Sequence, residues 1–68
     1  MALGIVITKQ VPGDKPRRIS LYRATLELQA HGYSKELAFR LMTEAFNTIT
    51  LATGTIYDTT EAKPRGDQ

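Results

Sequence analysis

The chain opens with a short apolar run that ends at Ile7 and is followed by the polar residues Thr8, Lys9 and Gln10. Successive side chains of an extended chain point to opposite sides, which places Leu3, Ile5 and Ile7 on one side and Val6, Thr8 and Gln10 on the other. The β-branched residues of this segment also favour a strand, so we predict one over residues 3–9. Pro12 and Gly13 then suit the two central positions of a type II turn.

Residues 17–31 are rich in good helix formers and end just before Gly32, which suits a left-handed helix cap, so we predict a first helix here. Its apolar residues fall on nearly opposite sides, with Leu21, Ala24 and Leu28 in one group and Ile19, Tyr22, Leu26 and Ala30 in the other. The alternative is a strand from Arg17 to Arg23, which would pair with residues 5–11 as a hairpin across the Pro-Gly turn.

The second predicted helix runs from Lys35 to about Thr48, with Ser34 as its N-cap. Its apolar residues fill an arc of about 200°, which is wider than a helix on the surface of a monomer needs. These residues are Leu37, Ala38, Phe39, Leu41, Met42, Ala45, Phe46 and Ile49. Residues 48–52 either extend this helix or form a strand, whereas residues 55–60 are more clearly a strand.

These elements predict an α+β fold with an N-terminal strand, a two-helix hairpin and a C-terminal strand or hairpin. Residues 1–62 would form one small domain, and residues 63–68 a flexible C-terminal tail. A chain of 68 residues with no cysteine and one histidine has neither disulfides nor a structural zinc site to stabilise it. We therefore expect a homodimer that shares its core, with an interface formed by Leu37, Phe39, Leu41, Met42 and Phe46.

The sequence lacks the patterns of catalytic chemistry. The five glycines do not have the spacing of a dinucleotide-binding loop or a P-loop. The single histidine, His31, is better placed to cap the first helix than to serve in a catalytic triad. We predict no enzyme, no catalytic residue, no metal and no cofactor. No segment resembles a signal peptide or a membrane span, so we expect a soluble, cytoplasmic protein.

Charge is unevenly distributed along the chain, although nine Lys and Arg against seven Asp and Glu give only +2 overall. Residues 1–23 carry five basic residues and one acidic residue, a net charge of +4, whereas residues 24–62 carry two against five, a net charge of −3. Because basic clusters neutralise phosphates, we predict DNA binding through Lys9, Lys15, Arg17, Arg18 and Arg23. Thr8 and Gln10 would contact base edges if the first strand lay in a major groove.

The order of strand, helix, Gly32-Tyr33-Ser34 turn and helix over roughly residues 3–49 resembles that of ribbon-helix-helix regulators. This resemblance implies a two-fold dimer that pairs its N-terminal strands and inserts them into DNA. The segment from Val11 to Pro16 is longer than the linker of those regulators, and a further strand follows. The same turn is similar to that of helix-turn-helix proteins, in which the position of His31 is apolar.

A small transcription regulator that binds DNA as a homodimer is therefore the leading hypothesis. The alternative is a modulator or inhibitor that docks on another protein, whose acidic surface would meet the basic residues. Tyr22, Tyr33 and Tyr57 would then be anchors, since tyrosine is frequent at interfaces, but the same residues are equally suited to a half-buried place in the core.

Overall fold

Two strand hairpins flank a pair of helices along the chain. The computed structural model describes residues 4–62, so the predicted tail at residues 63–68 lies outside the described residues. The elements are β1 (Ile5–Gln10), β2 (Arg17–Ile19), α1 (Leu21–Ala30), α2 (Lys35–Thr43), β3 (Thr48–Thr50) and β4 (Ile56–Glu61). The four strands form one antiparallel sheet in the order β2-β1-β4-β3. The predicted α+β class is thus confirmed.

One face of the sheet packs against the helices. Ile7 of β1 lies opposite Ile19 on one side and Thr59 on the other, and Tyr57 of β4 lies opposite Ile49. Since side chains alternate along a strand, all five point to the same face. Ile7, Tyr57 and Thr59 are almost fully buried there. The core therefore lies between this face and the helix pair.

The core contains few side chains, as expected for a short chain. Its buried apolar members are Ile7, Ala24, Leu28, Ala38, Met42, Ile49, Leu51 and Tyr57. The helices contribute Leu28 and Met42, which are fully buried, and two small alanines. Small side chains let a helix backbone lie close to its neighbours.

Both helices begin at a serine. Ser34 Oγ accepts a hydrogen bond from the Leu37 N–H at 3.1 Å, which confirms the predicted N-cap of α2. Ser20 Oγ accepts the Arg23 N–H at the same distance and caps α1. Gly32, with φ +100°, adopts the left-handed conformation predicted after the first helix.

The predicted order of elements is wrong at residues 17–19. These residues form β2 instead of the first turn of α1, and they pair antiparallel with β1 across the predicted turn. The turn itself is confirmed, because Gly13 has φ +85° and the Asp14 N–H donates to the Val11 carbonyl at 3.0 Å. The hairpin alternative is thus right for these three residues, and α1 begins only after the Ser20 cap.

The second helix is shorter than predicted and ends at Thr43. Phe46 adopts a left-handed conformation with φ +64°, which a helix cannot continue through. The next residue is then held to β4, because the Asn47 N–H donates to Thr59 Oγ1 and the Thr59 N–H donates to the Asn47 carbonyl, both at 2.9 Å. Residues 48–50 form the edge strand β3, so the strand alternative is right for these three residues and the predicted helix end near Thr48 is wrong.

The predicted dimer-interface residues divide between core and surface. Met42 is fully buried in the core of the chain itself, and Leu41 packs against that core. Leu37, Phe39 and Phe46 are exposed by 41%, 54% and 75%. The apolar arc stays wide in the shorter helix, because Leu37 and Phe39 lie about 200° apart and both belong to α2. Only the three exposed residues are accessible to another molecule.

The central position of β1 excludes the strand pairing that the resemblance to ribbon-helix-helix regulators implies. β1 is hydrogen-bonded to β2 along one edge and to β4 along the other. Because β2 already pairs with Ile7–Lys9, the free backbone groups on that edge of β1 are confined to its ends, which leaves no continuous edge to pair with a second copy. Any contact between β1 and DNA would have to use the face of the sheet.

Candidate nucleic-acid interface

The carboxylate of Glu27, in the second half of α1, connects the helix to the sheet. Glu27 Oε1 accepts the Tyr57 hydroxyl at 2.5 Å and lies 2.8 Å from Lys9 Nζ, while Arg23 Nε donates to Glu27 Oε2 at 3.1 Å. We call these four residues the Glu27 cluster. Within residues 4–62, the ion pairs are these two on Glu27. The cluster joins β1, β4 and α1 through one partly buried side chain.

The environment of the Glu27 cluster shifts two pKa values in opposite directions. Burial raises the pKa of Glu27, but the hydrogen bonds from Lys9, Tyr57 and Arg23 and the charge of Lys9 outweigh it and hold this pKa below its ordinary value. Burial also raises the pKa of Tyr57, and the adjacent Glu27 carboxylate raises it further. The cluster therefore consists of an ionised glutamate and a neutral tyrosine at neutral pH.

An open groove of about 430 Å³ lies beside the Glu27 cluster. It is lined by Lys9, Val11, Arg17, Arg18, Ile19, Ser20, Arg23 and Glu27, and we call it the basic groove. Four cations against one carboxylate give the lining a net charge of +3. The basic groove therefore keeps an excess of positive charge even after Glu27 has paired with Lys9 and Arg23.

The start of α1 adds to this positive potential. The first N–H groups of a helix lack partners within it, and the helix dipole places partial positive charge there. Ser20, the N-cap, lines the basic groove, and the first turn of α1 contains no acidic residue. A phosphate or carboxylate in the groove would thus meet side-chain cations and the positive end of a helix together.

Four of the five predicted phosphate-binding residues come together in the basic groove; the exception is Lys15, which is exposed on the β1–β2 loop. In the part of the chain that the structure describes, the side chains of Arg17 and Arg18 form no hydrogen bond or ion pair. They are exposed on the edge strand and free to bind an anion. Arg23 and Lys9 are held in place by Glu27.

The two residues predicted to contact bases lie elsewhere. Thr8 is opposite Arg18 on one side and Asp58 on the other, on the face of the sheet away from the helices. Gln10 shares that face, and its side-chain amide donates to the Asp14 carbonyl at 3.0 Å. Among the described strand residues, none on this face is aromatic, so the sheet offers no platform for stacking unpaired bases.

Sequence reasoning missed the residues that organise the basic groove. Glu27 lies four residues after Arg23, and this spacing of opposite charges on a helix was an available signal. Tyr57 comes thirty residues later in the chain, and nothing in its local sequence indicates a bond to Glu27. Ser20 was overlooked because the helix was expected to begin before it.

Other kinds of site are not found in residues 4–62. No three His, Asp or Glu side chains there lie close enough to hold a metal ion. Neither α1 nor α2 is long and apolar enough to cross a membrane. Comparison of the chain with family models, with curated protein sequences and with solved structures finds no match.

Proposed function

We propose that the chain is a non-enzymatic nucleic-acid-binding protein that holds the phosphate backbone of duplex DNA in its basic groove. The observation that carries the proposal is the uncompensated charge of the groove: Arg17 and Arg18 have no partner among the described residues, beside a helix start without an acid. Arginine side chains offer several N–H donors in a planar fork, which suits phosphate oxygens. A regulatory role in transcription is the broader form of this proposal.

The proposed contacts position the protein on DNA and do not read its sequence. Phosphate contacts are independent of sequence, whereas base edges are read inside the grooves of the duplex. Arg17 lies opposite Lys9 on the helix-facing side of the sheet, whereas Arg18 lies opposite Thr8 on the other face. A duplex bound at the β2 edge by both arginines would therefore also lie near Thr8. Binding of moderate sequence specificity and strong salt dependence is expected.

The test is a salt titration of binding to a short duplex of random sequence, followed by fluorescence anisotropy. The logarithm of the affinity should fall linearly with the logarithm of salt concentration, with a slope of about −0.9 for each phosphate contact. Arg17→Gln and, separately, Arg18→Gln should each reduce the magnitude of that slope by about 1.

Arg40→Gln is the matched control, because it removes the same charge from the exposed end of α2. It should leave the slope unchanged. A chain that fails to bind duplex at low salt, or that loses as much slope in Arg40→Gln as in Arg17→Gln, would exclude the basic groove as a DNA site.

The same groove would accept the carboxylates of an acidic protein, which is the alternative function. Polyglutamate serves as the probe for that function in the same titration. Binding of polyglutamate without binding of duplex would favour the protein-docking modulator over the DNA-binding protein.

A further inference from the structure

A second groove, of about 770 Å³, lies on the outer surface of the helix pair. Its apolar lining consists of Leu21, Tyr22, Leu26 and Phe39, which are exposed by 37%, 74%, 44% and 54%. We call this surface the helical groove. Apolar side chains that are exposed together mark places where another molecule binds.

The helical groove also carries two opposite charges. Lys35 and Glu36 are consecutive residues at the start of α2, and both line it. Neither takes part in the ion pairs formed within residues 4–62. The groove thus combines apolar side chains with one free cation and one free anion, a net charge of zero. A matching surface would present an acid to Lys35 and a base to Glu36.

We infer that the occupant of the helical groove is a second copy of this chain, related by a two-fold axis that crosses the groove. A two-fold interface brings the same surface of both copies together, so that contacts occur in reciprocal pairs. Lys35 of each copy then meets Glu36 of the other copy, and both charges are compensated. A partner with a uniformly acidic or basic surface would compensate only one of them.

The packing of the chain is consistent with this occupant. The core formed by residues 4–62 has eight buried apolar side chains, and pairing of two helical grooves would bury Phe39, Leu26 and Tyr22 in addition. The basic groove and the helical groove share no lining residue, so a dimer of this kind leaves both basic grooves open. Dimerisation through the helical groove and DNA binding in the basic groove therefore use different residues and can be tested separately.

Sedimentation equilibrium of the full chain over a wide range of concentrations tests the inference. The native chain should reach a mass of about twice 7.6 kDa at micromolar concentration. Phe39→Glu should give a monomer, because it places a charge in the centre of the apolar surface. Circular dichroism should show that this variant remains folded, since Phe39 is more than half exposed.

Phe46→Glu is the matched control. Phe46 is 75% exposed and does not line the helical groove, so this variant should remain a dimer. A native chain that stays monomeric at all concentrations would overturn the inference. So would a dimer that persists in Phe39→Glu or dissociates in Phe46→Glu.

Exchange of the two charges distinguishes a second copy from any other partner. Lys35→Glu alone would set acids against acids at both reciprocal contacts and should raise the dimer dissociation constant on the order of tenfold. Adding Glu36→Lys to the same chain restores opposite charges and should restore dimerisation. Failure of the double variant to dimerise better than Lys35→Glu, with its thermal stability unchanged, would contradict the two-fold arrangement.

Discussion

α1 and α2 begin with the same cap but differ in the charge of their first turns, which hold Arg23 alone in α1 and both Lys35 and Glu36 in α2. Ser20 and Ser34 have nearly the same backbone conformation, with φ/ψ of −78°/159° and −71°/158°, and each accepts an N–H at 3.1 Å. α2 has Glu36 in its first turn and Arg40 in its last turn, which matches the helix dipole at both ends. α1 has neither an acid at its start nor a base in its last turn.

This difference separates a helix whose first-turn charges sum to zero from one whose cations have no acid at the helix start. Arg23 in the first turn of α1 and Arg17 and Arg18 just before it oppose the dipole, which costs free energy in the isolated chain. Glu27 offsets part of this cost through its pairs with Arg23 and Lys9. An anion in the basic groove would offset the rest, so ligand binding and the stability of α1 are linked.

Among the changes that test this difference between the helices, Glu27→Ala should lower the free energy of unfolding most. The change leaves the buried Tyr57 hydroxyl and the Lys9 ammonium without their acceptor, so we expect unfolding free energy to fall by about 2–3 kcal/mol. Urea denaturation measures it. Glu36→Ala, which removes an exposed acid from the start of α2, should cost only about 0.5 kcal/mol.

Equal losses in the two variants would mean that the Glu27 cluster contributes no more than an exposed charge. In that case Glu27 would stabilise α1 no more than Glu36 stabilises α2, and the cations of α1 would lack compensation within residues 4–62.

The pH dependence of stability provides a second test of the cluster. Because the folded state holds the pKa of Glu27 below its unfolded value, the contribution of this residue is complete above the unfolded pKa and is lost as pH falls through the folded pKa. The raised pKa of Tyr57 has the reverse consequence: its contribution is complete below the pKa of an unfolded tyrosine and decreases as pH rises beyond it. Urea midpoints measured from acid to alkaline pH should fall at both ends.

Glu27→Gln is the matched variant for this profile, since it keeps the shape of the side chain and removes the charge. It should flatten the acid limb relative to the native chain. An acid limb of the same steepness in both proteins would assign the loss to other carboxylates.

Much of the local structure is predictable because it is decided over a few residues. The Ser34 cap, the Gly32 helix end and the Pro12–Gly13 turn each follow from the conformational preference of one or two residues. β2 was predicted only as the alternative to a helix, because a three-residue strand depends on its partner: Ile19 pairs with Ile7 across the hairpin. The end of α2 at Thr43 is similarly decided by distant bonds, because the Glu44 carbonyl and the Phe46 N–H both bond to Thr59.

The candidate site was predictable in its charge and not in its geometry. The excess of basic residues in the first third of the chain indicated Lys9, Arg17, Arg18 and Arg23, which line the basic groove. Glu27 decides which of these cations are paired, because it binds Lys9 and Arg23 and leaves Arg17 and Arg18 without a partner in residues 4–62. The position of Glu27 relative to Lys9 is set by the packing of α1 on the sheet. Contacts of this kind arise only when distant segments fold together.

The two caps should be equivalent in their own contribution. Ser20→Ala and Ser34→Ala each remove one side-chain acceptor from a helix N-terminus, so each should lower the unfolding free energy by about 1 kcal/mol. Thermal or urea denaturation of both variants provides the comparison. A much smaller loss in Ser20→Ala would show that α1 gains little from its cap, and that its first turn is held mainly by the adjacent strand.

The smallest effect, and the most discriminating, should come from replacing each cap by aspartate. Aspartate caps a helix about as well as serine and adds a negative charge at the positive end of the dipole. Ser20→Asp should stabilise the chain by about 0.5 kcal/mol. It should also weaken duplex binding, because its carboxylate neutralises the positive potential that would otherwise attract a phosphate. Ser34→Asp should give a smaller gain, since Glu36 already supplies an acid there, and should leave duplex binding unchanged. Equal gains in the two variants would mean that the start of α1 is no more electropositive than that of α2, which would remove the electrostatic basis of the proposed site.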